Sequence, residues 1–161
     1  MKSICYCLLF LSFFSCKRTY ISIPTMSLVY GNTSLNFSGK DITASFKDTT
    51  GHKKVLTLSG LNDSGQFIMQ IIFDSLKTAD NYLLTVDSAR GTLAANMFCA
   101  KKGTPYVGVL SADNYGTFQC TSFNENAGII SGSFYAILSD TSNTYPGNMW
   151  GDFKDVTLSR N

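Results

Sequence analysis

Few side chains in this 161-residue chain are equipped for acid–base or nucleophilic chemistry, and their spacing assembles no catalytic set. The single histidine, His52, lies between Gly51 and Lys53 in a turn, where an imidazole stays solvated. With the thiol of Cys120 it would make a base and a nucleophile, but no third group is spaced to orient the two. The one glutamate, Glu125, falls in the turn Asn124-Glu125-Asn126. Asp41, Asp48, Asp63, Asp74, Asp80, Asp87, Asp113 and Asp140 stand at expected strand ends, where the carboxylate bonds its own turn backbone. A glycosidase needs two carboxylates held across a cleft. Asp152 and Asp155 are close in sequence but flank an expected bulge and point to solvent. Asn62-Asp63-Ser64-Gly65 and Asp113-Asn114-Tyr115 lack the further oxygens and the D-x-D-x-D-G spacing of a calcium loop. Zinc spacings, a phosphate loop and G-x-S-x-G do not occur. The expectation is a non-enzyme with no cofactor and no metal.

Two residue sets suit structure or contact better than catalysis. Cys99 and Cys120 form a disulfide if an oxidising compartment allows it; the alternative is two small buried hydrophobes. Asn143-Thr-Tyr-Pro-Gly-Asn-Met-Trp150 holds the only tryptophan close to Tyr145 and Pro146, in a loop leading into the last strand. Tyr145 and Trp150 are the candidate contact patch, because aromatic loop side chains stack on sugar faces and peptides. In the alternative reading Trp150 plugs one end of the domain.

The elements that must carry these residues begin with an address. Lys2 is a positive n-region, and Ile4 to Phe14 are apolar apart from Ser12. As a helix, that run spans about half of a bilayer's hydrocarbon core, so it is a signal segment and not an anchor. It ends Phe14-Ser15-Cys16, which resembles the lipobox of bacterial lipoproteins, where the cysteine is acylated and the chain is cut just before it. Phe13 departs from the usual Leu or Val, and an ordinary cleaved signal peptide is the alternative. The resemblance implies a signal peptide over 1–15, a lipidated cysteine and tether over 16–25, and one domain over 26–161. Membrane contact then runs through the lipid on Cys16. Without Lys2, 12 basic and 11 acidic side chains remain. That balance, with no basic stripe, excludes nucleic acid as partner.

From Ser27 onward the dominant period is two, broken by short turn clusters. Ile42, Ala44 and Phe46 share a face, as do Leu56 and Leu58. Phe67, Met69, Ile71 and Phe73 make a continuous apolar face, and Ile68 with Ile72 predicts that this strand is central and covered on both sides. Tyr82, Leu84 and Val86 alternate, then Leu93, Ala95, Met97 and Cys99. Thr117 to Phe123 and Ile129 to Leu138 flank Asn124-Glu125-Asn126 as a hairpin, with Ile130, Phe134 and Leu138 inward. Phe153 has one parity and Val156 with Leu158 the other, so a bulge near Lys154-Asp155 is expected. Only Asp74 to Ala79 could make a turn or two of helix. The sum is all-β: an antiparallel meander of nine or ten short strands, either barrel-like (calycin-like) or a two-sheet sandwich.

Met26-Ser-Leu-Val-Tyr-Gly31, Tyr115-Gly-Thr-Phe-Gln-Cys-Thr-Ser-Phe123, Ile130-Ser-Gly-Ser-Phe134 and Gly151-Asp-Phe-Lys-Asp-Val156 together resemble a family of small lipoproteins of Bacteroidetes. Tyr30 and Phe37 depart from its pattern. The resemblance implies an all-β domain in the cell envelope and carries no function. It also gives meaning to Asp48-Thr49-Thr50, Asp74-Ser75-Leu76 and Asp87-Ser88-Ala89, which look like the sites where these bacteria attach O-glycans, at Thr49, Ser75 and Ser88. Lys17-Arg18 after the cysteine is opposite in charge to surface-export signals of the group, implying an outer-membrane lipoprotein that faces the periplasm. The expected function is non-catalytic: a binding or accessory module for a small apolar ligand, a glycan or a protein partner. The alternatives are an assembly component of an outer-membrane complex and, behind both, a hydrolase of envelope polymers.

Overall fold

The structure is a computed structural model and describes residues 22–49, 53–86, 93–103, 107–140 and 147–160. Among the described residues eleven strands form one sheet: β1 (Thr25–Tyr30), β2 (Thr33–Ser38), β3 (Ile42–Asp48), β4 (Lys54–Asn62), β5 (Gly65–Phe73), β6 (Asn81–Thr85), β7 (Leu93–Lys101), β8 (Val107–Val109), β9 (Gly116–Asn124), β10 (Ile129–Asp140) and β11 (Gly147–Arg160). The all-β expectation is met. Eight of the strands close a barrel-like ring in the order β11-β3-β4-β5-β7-β6-β9-β10, so the two-sheet alternative falls away.

The ring is mixed, not wholly antiparallel: β3 runs parallel to β11 and β6 parallel to β7. It also forks twice. Along one half of β11 the neighbour is β1, with Thr25 to Tyr30 opposite Lys154 to Met149, while residues 158–160 pair with β3. On β7, Leu93 and Ala94 pair with β6, while Phe98 to Ala100 pair with β8. The β1–β2 hairpin turns through Gly31 and Asn32, with Gly31 at φ +57°, where a side chain would be strained. It buries Met26, Leu28, Leu35 and Phe37 against the core, and Asn62 Nδ2 donates to the Asn36 carbonyl at 2.7 Å to hold the hairpin on the end of β4.

The period-two faces do what their parity requires. Phe67, Met69, Ile71 and Phe73 are buried, as are Leu56, Leu58, Ala95, Met97, Ile130, Phe134 and Leu138. Two readings need correction. The other face of β5 is not covered: Ile68 is half-buried and Ile72 exposed, because among the described residues no second layer lies outside the ring. Val86 lies beyond the end of β6 and is exposed. Residues 74–79 form bends and a turn with no helix.

The bulge on β11 is where parity demanded it. Gly132 faces Phe153 and Ile130 faces Val156, so β11 carries one extra residue, and Asp155 takes φ +54°. Phe153, Val156 and Leu158 thereby all reach the core. Asp155 N–H donates to Ser131 Oγ at 2.9 Å, and its Oδ2 accepts from Ser22 at 2.5 Å, which pins the segment before β1 beside the bulge.

Aromatic rings fill the interior. Phe67 of β5 and Phe134 of β10 stack across the ring with centroids 4.9 Å apart, and Phe118 stacks on Phe153 at 6.2 Å. Phe46 lies 5.5 Å from Phe73 and 6.0 Å from Phe123, with the Lys54–Glu125 ion pair at 3.3 Å beside them and Lys54 over the Phe46 ring. Among the described residues no helix is long and apolar enough to cross a membrane.

Candidate functional site

Alternation on β11 sends Met149 and Phe153 inward and Trp150 outward. Trp150 is 49% exposed, so it plugs neither end, and it lies within the strand and not in the loop before it. Gly151 lets its neighbours close in, since a Cβ there would meet the Ser27 carbonyl oxygen at 2.6 Å. The register then sets Trp150 directly between Val29 of β1 and Tyr135 of β10. Tyr135 in turn faces Thr117 of β9, and Thr117 faces Leu83 of β6. Five outward side chains thus line up across five strands, a span of about 19 Å at one strand spacing per step.

A second row runs beside the first, two residues along each strand. Ser27 faces Asp152, Asp152 faces Ser133, Ser133 faces Gln119, and Gln119 faces Asn81. Every member of this row is polar. Ser27 Oγ donates to Asp152 Oδ1 at 2.8 Å. On the other flank, Tyr135 OH donates to Asn148 Oδ1 at 3.0 Å and fixes the ring's tilt. The face is therefore striped: Val29, Trp150, Tyr135 and Leu83, with Thr117 among them, run beside a wholly polar row on one side, while Asn148 and the apolar Ile137 lie on the other.

Beyond Leu83 the first row opens into a depression of about 360 Å³, lined by Leu83, Thr85, Ala112, Asp113, Asn114 and Tyr115. Its loop is well held. Asn114 Nδ2 donates to Ser139 Oγ at 2.8 Å, Asn114 N–H to the Ser111 carbonyl at 3.1 Å, and Ile137 N–H to the Tyr115 carbonyl at 3.0 Å. Tyr115 is half exposed above it. Among the described residues of both rows and the depression, the charges are Asp152 and Asp113, with no cation.

The chain matches no protein-family model, no curated protein and no solved structure. Its own geometry carries the reading of the remaining candidates. Cys16, His52, Ser88 and Tyr145 lie outside the described residues. Cys99 and Cys120 are both free and buried, which corrects the disulfide reading. Cys99 faces Phe67 and Gly108, whereas Cys120 faces Gly132, on strands that do not pair with one another. Burial pushes the Cys99 thiol up to about 12 and raises Cys120 as well, the latter with help from the nearby Asp80 charge. Neither is poised as a nucleophile.

Thr49 and Ser75 are exposed, and Thr49 Oγ1 donates to the Lys53 carbonyl at 2.9 Å. Asp152 and Asp155 do not share a cleft: one accepts from Ser27 on the outer face, the other is bound up in the bulge. Among the described residues no group of three His, Cys, Asp or Glu could hold a metal ion. Sequence reasoning missed Tyr135, Asn148 and the polar row. Tyr135 sits between core residues Phe134 and Ala136, and only register shows that it meets Trp150.

Proposed function

We propose that the protein is a non-catalytic binding lipoprotein of the bacterial cell envelope. It is carried on the outer membrane by Cys16, faces the periplasm, and holds its partner on the striped outer face. The observation that supports this reading is Trp150: a large aromatic side chain left half in water on a rigid strand, in register with Tyr135 and flanked by polar groups. Such residues dominate contact energies at binding faces. The packed interior, where Phe67 stacks on Phe134, argues against the form in which a small apolar ligand sits inside the ring. The chain reaches the domain at Ser22, beside Asp155, and Trp150 faces Val29, about 13 Å farther along β1 from Thr25. A lipid on Cys16 would leave the striped face toward the end remote from the tether.

The test uses the lipidated protein and its Trp150→Ala variant against isolated envelope fractions. Because Trp150 is exposed, the variant keeps the wild-type Tm, and envelope binding falls at least tenfold. Equal binding by the two proteins refutes the face. Fatty-acid labelling that Cys16→Ser does not abolish refutes the tether.

A further inference from the structure

Resting on that reading of the face, we infer that its occupant is a neutral oligosaccharide lying across the strands, from Trp150 to the depression beneath Tyr115. The two rows have the chemistry that a sugar chain presents. A pyranose ring is apolar over its C–H faces and ringed by hydroxyls that both donate and accept. Trp150 and Tyr135 offer π-faces to the first, and Asp152, Ser133, Gln119 and Asn81 offer carboxylate, hydroxyl and amide groups to the second. A protein partner is served less well: the core of a protein interface is depleted in charge and closed to water, whereas here a wholly polar row, with Asp152 in it, lies immediately beside the aromatic one.

Charge selects among glycans. Within the two rows and the depression an acidic chain would meet Asp152 and Asp113, offset only in part by Lys154, the next outward side chain on β11 after Asp152, whereas a neutral chain meets no such repulsion. Length follows from the register. The row spans about 19 Å over five strands, more than one sugar ring covers, and it runs into a depression of about 360 Å³ that can take a terminal unit or a branch. The face is rigid, since each position is fixed by strand pairing, so little ordering cost falls on the protein when the chain binds.

Trp150 is the only tryptophan, so its emission reports on this face and on nothing else in the chain. The full mature protein is titrated with neutral hexaoses of glucose, mannose, xylose and N-acetylglucosamine, with the corresponding monosaccharides, and with hexagalacturonate. At least one neutral hexaose gives a saturable change in emission, its monosaccharide binds at least tenfold more weakly, and hexagalacturonate gives no change. The double variant Gln119→Ala/Asn81→Ala keeps Trp150 and the wild-type Tm but loses at least tenfold in affinity for that hexaose. Silence toward every neutral hexaose, or equal binding of hexagalacturonate, overturns the inference. If Trp150→Ala nevertheless loses the envelope, the face stands and only the ligand class falls; if it keeps the envelope, both fall.

Discussion

Replacing Phe134 with alanine tests whether the ring is filled, the property on which the choice of an outer face depends. Phe134 is 3% exposed, stacks on Phe67 at 4.9 Å with the planes 7° apart, and rests against the backbone opened by Gly151. Deleting a buried phenyl ring removes its transfer energy and leaves a void, together costing about 3–5 kcal/mol. Within that, the stacked pair contributes about 0.5–1.5 kcal/mol beyond area, which a double-mutant cycle with Phe67→Ala isolates. For a domain of this length the loss lowers Tm by about 10 °C. Urea unfolding of the protein at pH 7 is the assay, with an unchanged slope showing that the two states are otherwise the same. The void is lined by apolar groups and stays dry, so benzene raises the Tm of the variant and not of the wild type. A loss below about 1 kcal/mol, or no coupling with Phe67, means that the rings do not fill the centre, and the case for the outer face loses its support.

Asp155 holds φ +54°, so of two variants that both lose the carboxylate's bond from Ser22 and both keep the N–H bond to Ser131, Asp155→Gly relieves the backbone while the β-branched Asp155→Val is about 2–3 kcal/mol less stable than Asp155→Gly through left-handed strain; equal stability of the two variants in chemical denaturation sinks the bulge assignment. For Cys99, pushed up to about 12, the folded state keeps a proton that the unfolded chain releases above pH 9. Stability from this group is therefore intact below pH 9 and falls by about 1.4 kcal/mol per unit as pH rises toward 12. Cys99→Ala removes that dependence, and a wild-type-minus-variant difference that stays flat from pH 8.5 to 11 contradicts the burial. Both buried thiols resist alkylation in the native protein and react on unfolding; rapid native labelling of Cys99 and Cys120, followed by mass spectrometry, is the contrary result.

How much of this was legible in the sequence depends on the range of the interaction. Local alternation carries which residues turn inward, so the core faces of β4, β5 and β10 could be read from residues two apart, whereas the outer face of β5, expected to be covered, is not. Even the bulge was readable, because Phe153 and Val156 cannot both be inward without an extra residue between them. Pairing partners are long-range, and nothing local distinguishes a strand that will lie parallel from one that will not. The parallel seams of β3 with β11 and β6 with β7 were therefore missed. The striped face was missed for the same reason. Trp150 is conspicuous as the lone tryptophan, but Tyr135 and Gln119 become its neighbours only through three separate strands falling into register.

The double role of β11 has a consequence for how the chain is made. This strand joins β10, β1 and β3, and it is translated after all three. Until it emerges, the ring has an open seam, and β1 and β3, paired on one side with β2 and β4, each leave the other edge unpaired. The contacts that seal the seam link residues more than a hundred positions apart, a topology that folds slowly. A nascent chain therefore keeps that seam open, and its ring unclosed, for as long as β11 is missing.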